Sequence, residues 1–224
     1  MIEKEKLLIT GGNGFVGSTI CVLAAQMNIP VISISRSGAP EGQTKDAAFT
    51  TSWVKADVFQ PESWAPHLVG CKAVIHCIGI INEDVPRGVT YDRMIFQSAK
   101  LVADKAIAGG IQRFVFLSAG GAAPETPSGY MEAKERAERF LESLGFASLT
   151  ILRPGMIYGD AKPDTLREAK EFSLLLADPV IGPKLHPVRP LEVNIVARAA
   201  LRAVTDSGIH GVFDVDKIEK YGSQ

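Results

Sequence analysis

The chain has 224 residues, 46% of them hydrophobic and 22% charged, which is enough apolar material to bury a sizeable core without metals or disulfides. A formal net charge of −1, with no local cluster of Lys and Arg, removes the electrostatic case for nucleic acid as a partner. Cys21, Cys71 and Cys77 are odd in number, lack paired spacing and sit among apolar residues, so they read as buried thiols in a reducing compartment.

The first strand, around Leu7-Leu8-Ile9, follows Met1 almost directly. If the protein is bacterial, it is expected in the cytoplasm or at the membrane surface; a mitochondrial or plastid location requires that a presequence has been removed. The strand leads into Thr10-Gly11-Gly12-Asn13-Gly14-Phe15-Val16-Gly17 and then into a helix over 15–28. Strand, glycine-rich turn and helix in that order form a dinucleotide fingerprint. Gly11 makes the tight turn, Gly14 lets the backbone approach a pyrophosphate, and Gly17 lets the helix lie against the strand. The phosphates would meet N–H groups at the positive end of the helix dipole.

A second strand over 31–35 ends at Arg36-Ser37-Gly38, followed by a polar loop over 39–48. A third strand over 53–56 ends at Asp57, a short helix follows Pro61, and a fourth strand covers 73–77. Residues 90–108 read as helix, 113–117 as strand, 130–144 as a strongly charged helix and 149–152 as the sixth strand. This alternation predicts an α/β fold: a Rossmann-type, doubly wound parallel sheet whose ligands bind beyond the carboxyl ends of the strands. After Pro154 the pattern loosens into a loop over 155–163, a helix over 165–177, a proline-rich stretch over 178–190, a helix over 194–204 and a last strand over 212–215. One NAD(P)-binding unit spanning 1–224 is expected, with residues 155–211 forming a small cap on the substrate side. The Leu174-Leu175-Leu176 run reads as core, the alternative being a membrane- or quinone-facing surface. No apolar run approaches the ~18 residues of a membrane span, and peripheral membrane association stays open.

Cofactor choice is written at the end of the second strand. An NAD site usually has an acid there for the ribose 2′-OH, whereas a 2′-phosphate needs positive charge and hydroxyl donors. Ser35, Arg36 and Ser37 provide the latter and no acid, which favours NADP(H) over NAD(H); the alternative for Arg36 is a solvated loop charge. Asp57 can accept from the adenine amine while Val58 packs on the ring, and Asp57 serves equally well as a helix cap. Farther along, Ser118 ends a strand and Tyr130 and Lys134 stand one helical turn apart. The ammonium can then lie near the phenol and, together with the nicotinamide charge, bring its pKa from ~10 toward working range, with Ser118 orienting a substrate carbonyl.

Together these residues resemble the short-chain dehydrogenase/reductase superfamily in its extended or atypical branch. The resemblance covers nearly the whole chain, through the glycine turn, His76-Cys77-Ile78-Gly79, Ser118, Tyr130-x-x-x-Lys134 and Arg153-Pro154-Gly155-Met156-Ile157-Tyr158-Gly159. It implies catalytic roles for Ser118, Tyr130 and Lys134. It also implies cofactor contacts from Gly11, Asn13, Gly14, Phe15, Val16, Gly17, Ser35, Arg36, Ser37, Asp57, Val58, Cys77, Ile78, Gly79 and Lys134, with Pro154, Met156 and Ile157 at the nicotinamide end. His76 is assigned to strand packing, and no metal site is expected.

Within the branch, Ser35-Arg36-Ser37-Gly38, Asp57-Val58-Phe59-Gln60-Pro61, Pro127-Ser128-Gly129-Tyr130 and Arg189-Pro190-Leu191-Glu192-Val193-Asn194 are similar to two groups. These are the accessory NADPH-binding subunits of respiratory complex I and the fungal accessory proteins of coenzyme Q biosynthesis. The resemblance implies an NADP(H)-dependent oxidoreductase acting on a carbonyl or quinone-related small molecule. The alternative is a non-catalytic NAD(P)H-binding accessory or assembly factor for coenzyme Q biosynthesis or a respiratory complex, so the partner is a small-molecule substrate or a quinone-pathway protein complex. Two features depart from the superfamily pattern. The helix-four asparagine of the proton relay is missing, with only Gln97 and Ser98 nearby, and the segment after Gly159 is short for a sugar-nucleotide enzyme.

Overall fold

A computed structural model describes residues 6–40, 50–121 and 126–224. Seven parallel strands form one sheet: β1 (Lys6–Thr10), β2 (Val31–Ser35), β3 (Thr51–Lys55), β4 (Cys71–His76), β5 (Arg113–Leu117), β6 (Ser148–Leu152) and β9 (Gly211–Phe213). Their order is β3-β2-β1-β4-β5-β6-β9, so the chain reverses its direction of travel across the sheet between β1 and β4. A crevice opens at that switch point. The polar loop expected over 39–48 lies, beyond Pro40, outside the described residues.

Because side chains alternate across a strand, consecutive apolar residues serve both faces of a sheet covered on two sides. Leu7 and Ile9 face a core shared with α1 (Phe15–Gln26) and α6 (Val193–Thr205), whereas Leu8 faces Val74, Phe114 and Phe116. That second core is closed by Trp64, α2 (Ser98–Ala108) and α3 (Ser128–Ser143). The helix expected over 90–108 is divided, a π-helical turn at Asp92–Gln97 preceding α2.

The region after Pro154 departs from expectation in three ways. The stretch expected as loop contains β7 (Ile157–Tyr158), which pairs in parallel with β8 (Leu191–Glu192) to make a second small sheet. The stretch assigned to a cap divides: α4 (Pro163–Leu176) and α5 (Gly182–Leu185) lie beside the small sheet, while α6 is a core helix whose Val196, Ala197 and Ala200 pack with Leu7 and Ile9. The last strand stops at Phe213, and Asp214 caps a further helix, α7 (Val215–Gly222), by accepting from the Lys217 N–H at 2.9 Å.

The core reading of the leucine run is overturned. Leu174 is 76% exposed and Leu175 50%, and Ala169 is the buried residue of α4. The physical reason is placement: α4 has no strand of the main sheet beneath it to receive an apolar stripe.

Candidate cofactor-binding site

The glycine turn has the geometry its residue types require. Gly11 adopts φ +77°, open to glycine without strain, and its carbonyl oxygen accepts the Gly14 N–H at 2.9 Å. A Cβ on Gly17 would sit on that carbonyl oxygen and stand 2.9 Å from Gly11 C and Gly12 Cα. Gly14 is the N-cap of α1, offers no side-chain cap, and is followed by a first turn without acids. The leading N–H groups of α1 therefore lack intrahelical acceptors and suit an anion. Phe15 and Val16 do not line the cleft with their side chains, so what they have to offer an anion is those N–H groups. The Phe15 ring lies 5.2 Å from the Lys162 Nζ, and Val16 is buried in the core.

Beyond the strand ends lies a cleft of ≈ 780 Å³. It brings together eleven residues expected from the sequence: Gly11, Asn13, Gly14, Ser35, Arg36, Ser37, Asp57, Val58, Cys77, Ile78 and Gly79. Asn13 Nδ2 donates to Ser37 Oγ at 2.6 Å, tying the glycine turn to the end of β2. The Ser35 hydroxyl is committed to its own turn, bonded to the Gly38 N–H at 3.1 Å and the Gly38 carbonyl at 3.0 Å. Arg36 is exposed and makes no hydrogen bond or ion pair among the described residues. Asp57 accepts from the Phe59 N–H at 3.0 Å, so it fixes the loop after β3 rather than capping a helix. Sequence reasoning missed the outer wall of the cleft, where Phe59, Ile80, Arg87, Arg93 and Met94 stand. Phe59 falls within the stretch over 57–61 without having been given a role, and the other four carry no motif.

None of the expected catalytic residues Ser118, Tyr130 and Lys134 lines the cleft; the Lys134 Nζ approaches its wall, 3.7 Å from where a Cβ on Gly79 would stand. Ser118 is 3% exposed and donates to Glu138, which Arg153 holds through Nε at 3.1 Å to each oxygen and through Nη2. The Ser118 hydroxyl is thus engaged inside the protein, not aimed at a substrate oxygen. Glu138 was missed, although it stands one further turn along the face that carries Tyr130 and Lys134.

The Lys134 Nζ donates to the Leu117 carbonyl at 2.6 Å and lies 5.7 Å from the centre of the Tyr130 ring. Burial pushes its pKa down to about 8, opposed by Cys77 and Glu138. Lys134 by itself does not bring the expected lowering of the Tyr130 pKa. Burial raises it, and Tyr91, packed edge-on at 5.7 Å, raises it further. Desolvation outweighs an ammonium that is directed to a backbone carbonyl.

Pro154, Met156 and Ile157 brace the segment after β6 and stand apart from the cleft. The Pro154 carbonyl accepts the Gly120 N–H at 2.6 Å, Met156 accepts the Leu191 N–H at 2.8 Å, and Ile157 pairs with Leu191. His76 is fully buried, with Nδ1 2.7 Å from Thr10 Oγ1 and Nε2 3.2 Å from Ser98 Oγ. Because Ser98 Oγ donates to the Met94 carbonyl, it accepts from His76, which assigns the ring proton to Nε2. Burial pushes the His76 pKa down to about 3, so the ring is a neutral packing element. Among the described residues no cluster of His, Cys, Asp and Glu is arranged to hold a metal.

A family model described as NAD(P)H-binding matches residues 11–174, which include the glycine turn and every strand end lining the cleft. The chain belongs to this NAD(P)H-binding family. The NAD(P)H-binding protein is 30% identical to the chloroplastic protein At1g32220 of Arabidopsis thaliana, over 98% of this chain and 78% of that one. It is also 30% identical to MIOREX complex component 2 of Saccharomyces cerevisiae, over 69% of this chain and 73% of that one. Its fold superposes on MoeE5, solved with UDP-glucose and NAD, with TM-score 0.68 and 18% identity over 97% of this chain and 81% of that one. The UDP-glucose 4-epimerase of Thermotoga maritima gives TM-score 0.65 and 19% identity, over 96% and 80% respectively. The expected Rossmann-type sheet and the expected membership of an NAD(P)-binding family are therefore borne out. Among the described residues, no helix is long and apolar enough to cross a membrane.

Proposed function

We propose that the protein is an NADP(H)-dependent oxidoreductase of the atypical short-chain dehydrogenase/reductase type, acting on a carbonyl or quinone-related small molecule. One observation carries the reading. Tyr130 and Lys134 share a face of α3, with the Lys134 Nζ 3.7 Å from where a Cβ on Gly79 would stand, at the inner edge of the cleft.

The residues fit the dinucleotide. The glycine turn and the α1 N-terminus suit a pyrophosphate, and Arg36, Ser37 and Asn13 offer a cation and polar groups to a 2′-phosphate. When bound, the dinucleotide supplies a hydride. Burial keeps the Tyr130 phenol protonated at neutral pH, so it is set to give a proton to a substrate oxygen. Lys134, cationic below about pH 8, stabilises the phenolate left behind.

The test is NADPH consumption with a short-chain quinone and a set of small carbonyl compounds, wild type beside Tyr130→Phe. Turnover is expected to fall about a hundredfold with little change in NADPH affinity. Equal turnover in the two proteins would remove Tyr130 as proton donor.

A second reading, a non-catalytic NAD(P)H-binding accessory factor for a quinone-pathway or respiratory assembly, is favoured by the engagement of Ser118 with Glu138. The chloroplastic name of one relative and the complex-component name of another support an organellar, assembly-linked setting for it. In cells lacking the protein, rescue by Tyr130→Phe but not by Gly14→Val would select this reading.

A further inference from the structure

Three arginines border the cleft: Arg36, Arg87 and Arg93. Arg87 is paired with Asp84 at 3.3 Å, whereas Arg36 and Arg93 have no carboxylate partner among the described residues. Their surroundings differ. Arg36 stands beside Ser37, whose hydroxyl is held by Asn13, a polar neighbourhood that suits a phosphate. Arg93 lies over the Phe59 ring, its Cζ 4.4 Å from the ring centre, with Met94 next in the chain also lining the cleft. The backbone that carries each member of that stack is held by a side-chain acceptor. The Phe59 N–H is bonded to Asp57 at 3.0 Å, and the Arg93 N–H to the Thr90 hydroxyl at 3.2 Å.

A guanidinium is flat, weakly hydrated and stacks on aromatic faces. With Phe59 covering one face, the other is available to a second flat ring, and the apolar neighbours offer no donors to an anion. The contrast with Arg136 is instructive: it lies 4.1 Å from the Phe96 ring centre, but Asp92 neutralises it at 2.7 Å.

We propose that Arg93, held over Phe59, is the wall of the cleft on which the purine ring of the dinucleotide stacks, so that Arg93 reads the base while Arg36 reads the 2′-phosphate. The proposal rests on the dinucleotide-binding reading above. It makes affinity for any adenine nucleotide depend on Arg93, and discrimination between NADPH and NADH depend on Arg36.

The experiment is calorimetry with NADPH, NADH and 5′-AMP on wild type, Arg93→Ala, Arg93→Lys and Arg36→Ala. Arg93 is exposed, so its variants keep the fold. Arg93→Ala is expected to weaken all three ligands by a common factor of about ten, the size of a partly desolvated cation–π contact. Arg93→Lys keeps the charge, loses the flat face and falls nearly as far, while Arg36→Ala weakens NADPH alone. Unchanged affinities in Arg93→Ala overturn the proposal, and so does a loss confined to NADPH, which makes Arg93 a phosphate contact. A wild type that binds none of the three ligands overturns the dinucleotide reading itself, a result that no Arg93 variant can mimic.

Discussion

Replacing Gly17 by alanine places a Cβ 2.9 Å from Gly11 C and Gly12 Cα and closer still to the Gly11 carbonyl oxygen. Non-bonded carbons rest at about 3.5–4.0 Å, so α1 has to move away from the turn by roughly 0.5–1 Å. All three atoms are backbone and cannot rotate aside, which puts the cost near the upper end of the 1–3 kcal/mol typical of overpacking. Alanine recovers up to about 1 kcal/mol of helix propensity, leaving a net loss of about 2 kcal/mol. For a chain of this size that lowers Tm by about 4–8 °C. The same displacement withdraws the α1 N–H groups from the phosphates, so NADPH affinity falls at least about tenfold. Gly14→Ala is the control. Its Cβ meets only the Gly11 oxygen, at 3.1 Å, on the cleft side of the turn, so affinity falls while Tm barely changes. Thermal unfolding and calorimetry on the two variants check both parts. A Gly17→Ala protein with wild-type Tm and wild-type affinity would refute the close-approach argument.

Two further outcomes follow from the inner end of the site. Glu138→Gln removes the carboxylate that braces Ser118 and Arg153; because the Arg153 side chain is 41% exposed and can turn to water, the expected loss is about 1–3 kcal/mol in urea unfolding, and no loss would show that the brace is not structural. Lys134, whose pKa falls from an ordinary 10.5 to about 8 on burial, binds fewer protons folded than unfolded between those values, so its burial penalty is full below pH 8 and relieved as pH rises to 10.5. Stability of the wild type relative to Lys134→Met is expected to rise across that window, and a flat difference would contradict the buried-ammonium assignment.

What the sequence made legible was whatever a short contiguous stretch decides. Leu7, Leu8 and Ile9 announce a strand buried on both faces, and every strand of the main sheet could be placed from such runs. β7 and β8 escaped because two residues carry no period, and α7 escaped because Val215, which looked like the end of a strand, opens a helix capped by Asp214. The exposure of Leu174 and Leu175 was invisible for a different reason. An amphipathic pattern says which side of a helix is apolar, not whether anything lies beneath it.

The two ends of the site divide along the same line. The cleft is built around the ends of β1, β2, β3 and β4, each adjacent to its own strand signal, so the spacing of motifs along the chain was enough to name eleven of its lining residues. The inner end is built where β5, α3 and the segment after β6 converge, and there the chemistry depends on which neighbour each polar group chooses. Ser118 chooses Glu138, Lys134 chooses the Leu117 carbonyl, and Tyr130 is desolvated against Tyr91. Tyr-x-x-x-Lys spacing fixes that two side chains share a helix face, but a pKa is set by everything else on that face and opposite it. The raised phenol pKa is the consequence, set by burial and by Tyr91 rather than by the lysine one turn away.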